Sequence, residues 1–509
     1  MMKYTNPVIP GFYPDPSICR VDEDYYLVTS TFEYFPGVPI FHSKDLVNWR
    51  QIAHVLTTTE QLPLANAGSS GGIFAPTLRY HDGWFYMTTT NVSGGGNFYV
   101  RSAQPEGPWS APIFVDQGGI DPSFLFDEDG HVYFQTACNG DEGEGIYQCE
   151  IDITTGARLT DSRLIWTGTG GAAPEAPHMY KINGLYYLMI AEGGTEYGHM
   201  ETIARSTEPY GPFDPCPHNP ILSNRSMKSS IHATGHADLV QIQDGSWWAV
   251  SLGIRPAGYP MRHHLGRETF LAPVTWTDTG WPMIGVDGHI EQEMTGPLLT
   301  EHPWSPQAIR DDFDEPSLGM NWIFLRNPAP DSWTLTENPG QLILRGHSVS
   351  LDDGQNPAFV GRRLSHFLCN MATELRYEPN ASSEEAGLTL FMNDKYHYDL
   401  AVTQVDGQKK IVLRRTVGSL RTEQALNCDK GPVVLQIKAD RNHFTFLYQQ
   451  GSSDAIEVGS GETHLLSTEV ASGFTGVMIA MYAYAPSGEC TPASFDWFDY
   501  EPLDEQSNR

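Results

Sequence analysis

The heptapeptide Gly11-Phe12-Tyr13-Pro14-Asp15-Pro16-Ser17 sets an acid between two prolines near the start of the chain. Two later stretches repeat this arrangement, Gly119-Ile120-Asp121-Pro122-Ser123 and Ala173-Pro174-Glu175-Ala176-Pro177. Each of the three acids precedes, by nine residues, a turn signal that opens a short aromatic segment. The repetition predicts that the three acids occupy equivalent places in a repeated structural unit.

Five such turn signals fix the size of the repeated unit. Asp-Gly and Asn-Gly tolerate the positive φ angles that two-residue hairpin turns require. The turn positions Asp24, Gly83, Gly130, Gly184 and Gly245 are 47 to 61 residues apart, which is room for one four-stranded blade each. An all-β fold with a five-bladed β-propeller over residues 1–300 is therefore predicted.

The propeller gives the nine-residue spacing a structural meaning. The strand before each hairpin turn is innermost and begins at one end of the central channel. Counting back nine residues from the five turns reaches Asp15, Phe74, Asp121, Glu175 and His236. We expect these residues around one mouth of the channel, one from each blade. The plain alternative is that the acids belong to ordinary turns at strand starts.

Composition and charge limit the partners. A chain of 509 residues is long for one core, so two domains are expected. The net charge of −31 opposes binding to nucleic acid or to an anionic membrane and favours a neutral or cationic ligand. Seven scattered cysteines predict neither a disulfide framework nor a zinc site. With no apolar signal region and no membrane-length apolar run, a cytoplasmic protein is expected.

Clustered carboxylates are the groups that glycoside hydrolysis requires. One acid must be protonated to assist the leaving oxygen, and another must be ionised to activate water or attack the sugar. A third acid nearby raises the pKa of the proton donor by repulsion between like charges. The same cluster could instead bind a divalent cation, so a calcium site is the alternative.

The chain resembles glycoside hydrolase family 43, most of all its β-xylosidase and α-L-arabinofuranosidase members that carry a C-terminal β-sandwich. The motifs that carry the resemblance span most of the propeller and are specific as a set. They are Asn6-Pro7-Val8, the heptapeptide at 11–17, residues 30–39, Phe74-Ala75-Pro76, the stretches at 119–123 and 174–177, Gly235-His236-Ala237-Asp238 and Gly266-Arg267-Glu268-Thr269.

The resemblance implies roles that the residue pattern alone does not assign. It implies an inverting, exo-acting enzyme in which Asp15 is the general base, Glu175 is the general acid, and Asp121 tunes and orients Glu175. An inverting mechanism predicts base and acid carboxyls about 6.5–9.5 Å apart, whereas about 5 Å would indicate a retaining mechanism.

Four further residues receive roles from the same resemblance. Arg267 would contact hydroxyls of the innermost sugar, with a salt bridge to one of the acids as the alternative or additional role. Phe32 and Phe74 would form apolar walls against the sugar, with plain core aromatics as the alternative. His236 stands where the family often places a histidine over a calcium ion and its waters, and the alternative is a channel histidine without metal. Family xylosidases often carry Trp where Phe74 stands.

The C-terminal part of the chain reads as a second β domain. The proline-punctuated segment within residues 301–310 is predicted to be a linker. Short alternating strands over residues 311–509 predict a β-sandwich, concanavalin-like by the resemblance. In resembling enzymes this module lends a loop to the pocket rim, and the candidates here are Tyr482-Ala483-Tyr484-Ala485-Pro486 and Phe495-Asp496-Trp497-Phe498.

Three functions are compatible with these observations. The favoured one is the release of D-xylose from the non-reducing ends of short β-1,4-xylo-oligosaccharides, with no cofactor required for the chemistry. The second is an α-L-arabinofuranosidase or a dual-activity enzyme acting on arabinoxylo-oligosaccharides, and the third is a sugar-binding propeller without catalysis. Retaining fructan-active propellers have different motifs around their acids and are set aside. A homo-oligomer is a family-level expectation only.

Overall fold

The computed structural model describes residues 3–382, 384–487 and 490–503, so the ends of both predicted domains, residues 1–2 and 504–509, lie outside it. Strands dominate this part of the chain, as predicted for an all-β protein. Its helical segments are two single 3₁₀ turns, Leu351–Asp353 and Thr463–Leu466, and the short helix α1, Thr468–Ala471. None of the described helices is long and apolar enough to cross a membrane. All seven cysteines fall within the described residues and are free.

Five four-stranded antiparallel sheets form the blades of the predicted propeller. Their strands and those that flank them are β1 (Lys3–Thr5), β2 (Ser17–Val21), β3 (Asp24–Val28), β4 (Tyr34–Phe35), β5 (Gly37–Ser43), β6 (Arg50–Leu56), β7 (Thr77–His81), β8 (Trp84–Asn91), β9 (Gly96–Ser102), β10 (Ile113–Phe114), β11 (Ile120–Phe126), β12 (Val132–Gly140), β13 (Gly143–Glu150), β14 (Arg163–Trp166), β15 (Glu175–Ile182), β16 (Leu185–Glu192), β17 (Met200–Ser206), β18 (Asp214–Pro215), β19 (His232–Gln241), β20 (Trp247–Ile254), β21 (Glu268–Trp276), β22 (Pro282–Ile284) and β23 (Glu293–Thr295).

The blades follow one another along the chain and surround a common axis. Blade 1 contains β2, β3, β5 and β6, and blades 2 to 5 are β7–β10, β11–β14, β15–β18 and β19–β22. The first strand of each blade packs on the first strands of its neighbours, which makes these strands innermost. β1 pairs with β23, so the two ends of the domain close the ring.

The hairpin turns of three blades contain two residues, and in blades 2 and 4 these are the predicted Asp82-Gly83 and Asn183-Gly184. Asp82-Gly83 in blade 2 has φ angles of 48° and 80°, the left-handed pair that such turns require. In blade 1 the predicted turn position Asp24 is wrong, because Asp24 pairs with Val21 as the first residue of β3. The turn itself is Asp22-Glu23, and Asp22 supplies the left-handed conformation with φ 54°.

The nine-residue count behind the predicted ring is also wrong as a statement of register. The loops between the first two strands contain two residues in blades 1, 2 and 4 but five residues in blades 3 and 5. Bulges near the starts of β11, β15 and β19 change the register further. Asp15, Asp121 and His236 each have φ between 51° and 56°, a left-handed kink at the channel mouth.

The C-terminal domain is a sandwich of two antiparallel sheets, one of eight strands and one of six. Its strands are β24 (Arg310–Asp311), β25 (Phe324–Leu325), β26 (Trp333–Thr334), β27 (Leu342–Leu344), β28 (Ala358–Arg363), β29 (Cys369–Arg376), β30 (Glu385–Asn393), β31 (Tyr396–Val405), β32 (Gln408–Val417), β33 (Leu420–Asn427), β34 (Val433–Ala439), β35 (His443–Gln449), β36 (Ile456–Glu462), β37 (Met478–Tyr484) and β38 (Ala493–Pro502).

The two domains share both a sheet and a core. β25 of the C-terminal domain pairs with β4, a strand that lies between two strands of blade 1. A single buried cluster contains Phe12, Phe32 and Tyr34 of the propeller together with Phe359 and Tyr482 of the sandwich. Burial of this apolar surface fixes the sandwich against the channel mouth, since the area removed from water stabilises the contact.

Beneath the channel mouth, one buried carboxylate connects four blades. Asp238 of β19 accepts hydrogen bonds from the Ser17 hydroxyl of blade 1 at 2.6 Å and the Tyr180 hydroxyl of blade 4 at 2.6 Å. Arg79 of blade 2 donates to it at 2.7 Å and also contacts His178 Nδ1 at 2.9 Å. Burial alone would raise the pKa of Asp238, but Arg79 and its other donors hold it below the ordinary value.

Replacing Asp238 with Asn should lower the free energy of unfolding by about 3–5 kcal/mol, because the Arg79 guanidinium is then buried without its counter-charge. Urea unfolding monitored by tryptophan fluorescence would measure the loss. The control is Asp499→Asn, which breaks the partly exposed pair with Arg310 and should cost at most about 1 kcal/mol. An equal loss of unfolding free energy in both variants would show that the buried Asp238 network stabilises the fold no more than a partly exposed ion pair does.

Candidate active site

A pocket at the channel mouth receives at least one residue from each blade. It contains all five residues at which the sequence count arrived, together with Phe32 and Arg267. The residues that line it are Asp15, Phe32, Phe74, Ala75, Ile120, Asp121, Glu175, Thr195, His236, Arg267 and Phe474. Four of these were not singled out from the sequence: Ala75, Ile120, Thr195 and Phe474.

Asp15 is buried and held by charged and polar donors. The Arg267 Nη1 group donates to Asp15 Oδ1 at 2.7 Å, and the Ser30 hydroxyl donates to the other oxygen. His236 Nδ1 lies 3.8 Å from Asp15 Oδ1. The salt bridge proposed for Arg267 as an alternative is therefore present, and the guanidinium still lines the pocket. Charge-assisted bonds of this kind are made by the ionised form of a carboxyl group.

Glu175 and Asp121 sit close to each other and to the charge of Asp15. Burial, and then the negative charge of Asp15, raises the pKa of Glu175 to about 7, although Arg267 opposes the shift. Burial, and then the charges of Glu175 and Asp15, raises the pKa of Asp121 well above its ordinary value. The Ala176 N–H donates to Asp121 Oδ2 at 3.2 Å, so Asp121 holds the backbone next to Glu175. A proton is therefore retained in this pair near neutral pH.

A buried histidine that sequence reasoning missed also faces Glu175. His199 Nε2 lies 3.8 Å from Glu175 Oε1, and His199 Nδ1 lies 3.2 Å from the Ala233 carbonyl oxygen. The carbonyl can only accept, so Nδ1 carries the hydrogen and Nε2 presents its lone pair to Glu175. Burial lowers the pKa of His199 to about 3, which keeps the ring neutral. No strand-register signal marked this loop residue.

Three phenylalanines form an apolar wall of the pocket. The ring centroids of Phe32 and Phe74 are 5.3 Å apart, and those of Phe32 and Phe474 are 5.9 Å apart with nearly parallel planes. The Arg267 guanidinium carbon lies 5.6 Å from the Phe32 ring centroid and 5.7 Å from that of Phe474. Flat apolar surfaces beside polar groups suit the faces and hydroxyls of a sugar.

The pocket rim comes from a different part of the sandwich than predicted. The predicted rim stretches Tyr482-Ala483-Tyr484-Ala485-Pro486 and Phe495-Asp496-Trp497-Phe498 are wrong, because neither contributes a residue to the lining of the pocket, and Tyr482, Phe495 and Phe498 are buried inside the domain. The rim residue is Phe474, whose N–H donates to the Ser70 hydroxyl of the propeller at 2.8 Å. The same loop passes close to the propeller backbone at Gly476, where glycine is required because a Cβ would lie 2.5 Å from the Leu265 carbonyl oxygen. A glycine-flanked aromatic, Gly473-Phe474-Thr475-Gly476, was the available signal.

The calcium ion implied near His236 has a sparse ligand set. Calcium prefers six to eight oxygen ligands. The described residues contain no group of three or more His, Cys, Asp or Glu side chains arranged to hold a metal. An ion beside His236 would depend on water molecules, as the family resemblance implied, and it stays a prediction. No catalytic step is assigned to it.

A propeller that presents three carboxylates, an arginine and an aromatic wall in one pocket has the site of a glycoside hydrolase. The family model "Glycosyl hydrolases family 43" matches residues 4–282, and "Beta xylosidase C-terminal Concanavalin A-like domain" matches residues 310–501. The chain belongs to glycoside hydrolase family 43, as the sequence motifs predicted.

Relatives with both named activities align over nearly the full length of the chain. A non-reducing end α-L-arabinofuranosidase of Bacteroides ovatus is 46% identical over 512 residues, covering 98% of this chain and 95% of its own. A xylosidase/arabinosidase of Butyrivibrio fibrisolvens is 37% identical over 503 residues, covering 95% and 96%. The crystal structure of a xylan β-1,4-xylosidase from Bacillus halodurans has a TM-score of 0.94 at 37% identity, covering 98% and 100%.

Shortening Phe474 to Ala should lower kcat/KM by roughly tenfold, mainly through KM, because one face of the aromatic wall is removed. Steady-state kinetics on an aryl glycoside that the enzyme accepts would measure the effect, and Phe474→Leu should retain more of the activity. The control is Phe114→Ala, an exposed phenylalanine on the outer strand of blade 2. An unchanged kcat/KM in Phe474→Ala would mean that the sandwich contributes no contact to the substrate.

Proposed function

We propose that this protein is an exo-acting, inverting β-xylosidase that releases D-xylose from the non-reducing ends of short β-1,4-xylo-oligosaccharides. The observation that carries the proposal is the pairing of Asp15, held by Arg267 and Ser30, with Glu175, whose pKa is raised to about 7 in the same pocket. These are the two protonation states that glycoside hydrolysis needs from its two acids.

In the proposed reaction, Glu175 is the general acid. Its proton passes to the glycosidic oxygen as the bond from that oxygen to the anomeric carbon breaks. The charge of Glu175 contributes to the raised pKa of Asp121, so the two carboxyls interact, and Asp121 accepts a hydrogen bond from the Ala176 N–H, which supports its proposed role in tuning and orienting the acid. The neutral His199 leaves the proton on Glu175, because its ring is a poor base in its buried position.

Asp15 is the proposed general base. It accepts a proton from a water molecule whose oxygen forms a bond to the anomeric carbon on the face opposite the leaving group. That displacement inverts the configuration at the anomeric carbon and yields α-xylose from a β-xyloside. Arg267 bonds Asp15 and lines the pocket, so it is placed to bind sugar hydroxyls beside the reacting water.

A terminal pentose is the substrate unit that the pocket favours. The rings of Phe32, Phe74 and Phe474 form the apolar wall of the pocket. Phe474 of the sandwich also contributes to the pocket rim, which supports cleavage from a chain end. The similarity to a solved xylan β-1,4-xylosidase over 98% of this chain supports xylose as the pentose.

α-L-Arabinofuranosidase activity is the second candidate. The specific observation in its favour is the 46% identity to a Bacteroides ovatus arabinofuranosidase across almost the whole chain. Phe74 also stands where the family resemblance leads us to expect Trp in many xylosidases, and Phe is the smaller of these two aromatic side chains.

The two candidates predict different products and rates. Time-resolved proton NMR of xylobiose digestion should show α-xylose first, followed by mutarotation. Early β-xylose would contradict inversion. Parallel kinetics on aryl β-D-xyloside and aryl α-L-arabinofuranoside should give the larger kcat/KM for the xyloside. A clear excess for the furanoside, with xylobiose left uncut, would replace the first candidate by the second.

Replacing Glu175 with Ala should lower kcat on xylobiose about 10³-fold, since a sugar alkoxide needs a proton to leave. The loss should be much smaller on dinitrophenyl xyloside, whose phenolate leaves without a proton. In the wild type, kcat/KM on xylobiose should fall as pH rises through about 7, where Glu175 loses its proton. That alkaline decline should disappear in the Ala variant, and equal losses on both substrates would argue against Glu175 as the acid.

A further inference from the structure

A second cavity of about 250 Å³ lies between the propeller and the sandwich, apart from the active-site pocket. Its propeller side includes Tyr13 and Trp49, and its sandwich side includes Arg362, Arg363 and His366. Since liquid water takes about 30 Å³ per molecule, the space exceeds that of a single buried water.

Arg363 is the unusual residue of this cavity. Its side chain is about 3% exposed, yet its Nε, Nη1 and Nη2 atoms have no hydrogen-bond partner among the described residues. The guanidinium group packs on two aromatic ring faces: its carbon lies 4.4 Å from the ring centroid of Tyr13 and 5.6 Å from that of Phe12. Burying a guanidinium without hydrogen bonds or a counter-charge is costly, and aromatic faces offset only part of that cost.

The charge of the lining differs from that of the whole chain. The sequence has 62 Asp and Glu against 31 Lys and Arg. The described residues that line the cavity nevertheless include two arginines and a histidine but neither Asp nor Glu. The Arg362 guanidinium carbon lies 4.4 Å from the ring centroid of Tyr500. The lining of this cavity thus carries two arginines and no carboxylate of its own, although the charge of Asp311 acts on Arg362 from outside the lining.

We propose that this interdomain cavity binds one small tetrahedral oxyanion of the phosphate or sulfate type. Arg363 is the principal ligand, because its planar fork of donors matches two oxygens of such an anion. Arg362 adds a second positive charge, and Ser365 and Gln51 are neutral polar groups in the same lining. The half-exposed side chain of Ile309 lies at the edge, where an ion can enter from solvent.

The position of the cavity gives the bound anion a structural role. Tyr13, which packs under the Arg363 guanidinium, is two residues from Asp15 in the chain. Arg363 ends β28, and the backbone of the next residue, Leu364, bonds to Val477 close to the Phe474 loop. An anion there neutralises the buried arginines and ties together the two segments of the domain interface that reach the active-site pocket.

The test is thermal unfolding of the full-length protein in series of sodium phosphate, sodium sulfate and sodium chloride at constant ionic strength. Phosphate and sulfate should raise the unfolding midpoint saturably, by on the order of 2–5 °C at a hundredfold excess over Kd. Equilibrium dialysis with radiolabelled phosphate should give one site per chain. Arg363→Met should abolish both signals, and Arg362→Met should weaken them.

The control is Arg376→Met, an exposed arginine of the sandwich that pairs with Glu374, which should bind phosphate as the wild type does. In anion-free buffer, Arg363→Met should unfold at the same temperature as the wild type or higher, because an unpaired buried charge has been removed. This comparison also shows whether the variant folds. Equal stabilisation of wild type and Arg363→Met would reveal a general salt effect and overturn the proposal. Saturation by chloride alone, or no labelled phosphate bound, would also overturn it.

Discussion

The structure depends on the buried Asp238 carboxylate, on which four of the five blades converge. Ser17, Arg79 and Tyr180 reach it from three other blades at hydrogen-bond distance. Its own strand also carries His236, and the Ser17 strand follows directly after Asp15. A packed apolar channel could hold the blades with similar energy, but directional bonds to one carboxylate also set the spacing between strands. Asp15 lies two residues before Ser17 and Glu175 lies five residues before Tyr180, so the network also sets the spacing between these two proposed catalytic carboxyls.

Electrostatics then separates acids of the same chemical kind into different roles. Asp15 has direct contact with Arg267, whereas Glu175 has none within the described hydrogen bonds and instead faces a neutral imidazole. Burial, and then the negative charge of Asp15, raises the pKa of Glu175, which favours the protonated form that the proposed general acid requires. The two carboxyls therefore differ because only Asp15 bonds directly to Arg267. The proposed assignment of base and acid rests on these partners as well as on the family resemblance.

The fold, and the five pocket residues reached by counting back from the turns, could be predicted from the sequence because hairpin turns repeat and acids stand beside prolines. The exact register could not be predicted, since the blades differ both in loop length, two or five residues, and in the bulges near the starts of their first strands. Phe474 and His199 were missed for a different reason. Each lies in a loop without periodic pattern, and its contact with the pocket depends on packing between segments far apart in the chain.

The interface between the domains is therefore part of the site rather than a support for it. β25 pairs with β4 just after Phe32, and the shared apolar cluster includes Phe12, which belongs to the same heptapeptide as Asp15. Any displacement of the sandwich would move Phe474 and disturb Phe32 together, because both contact the same cluster or each other. Interfaces between domains of one chain are often mobile unless they are large and apolar. Here strand pairing, apolar burial and a glycine-mediated close approach all oppose such motion, which keeps the aromatic wall and the acids in one fixed arrangement.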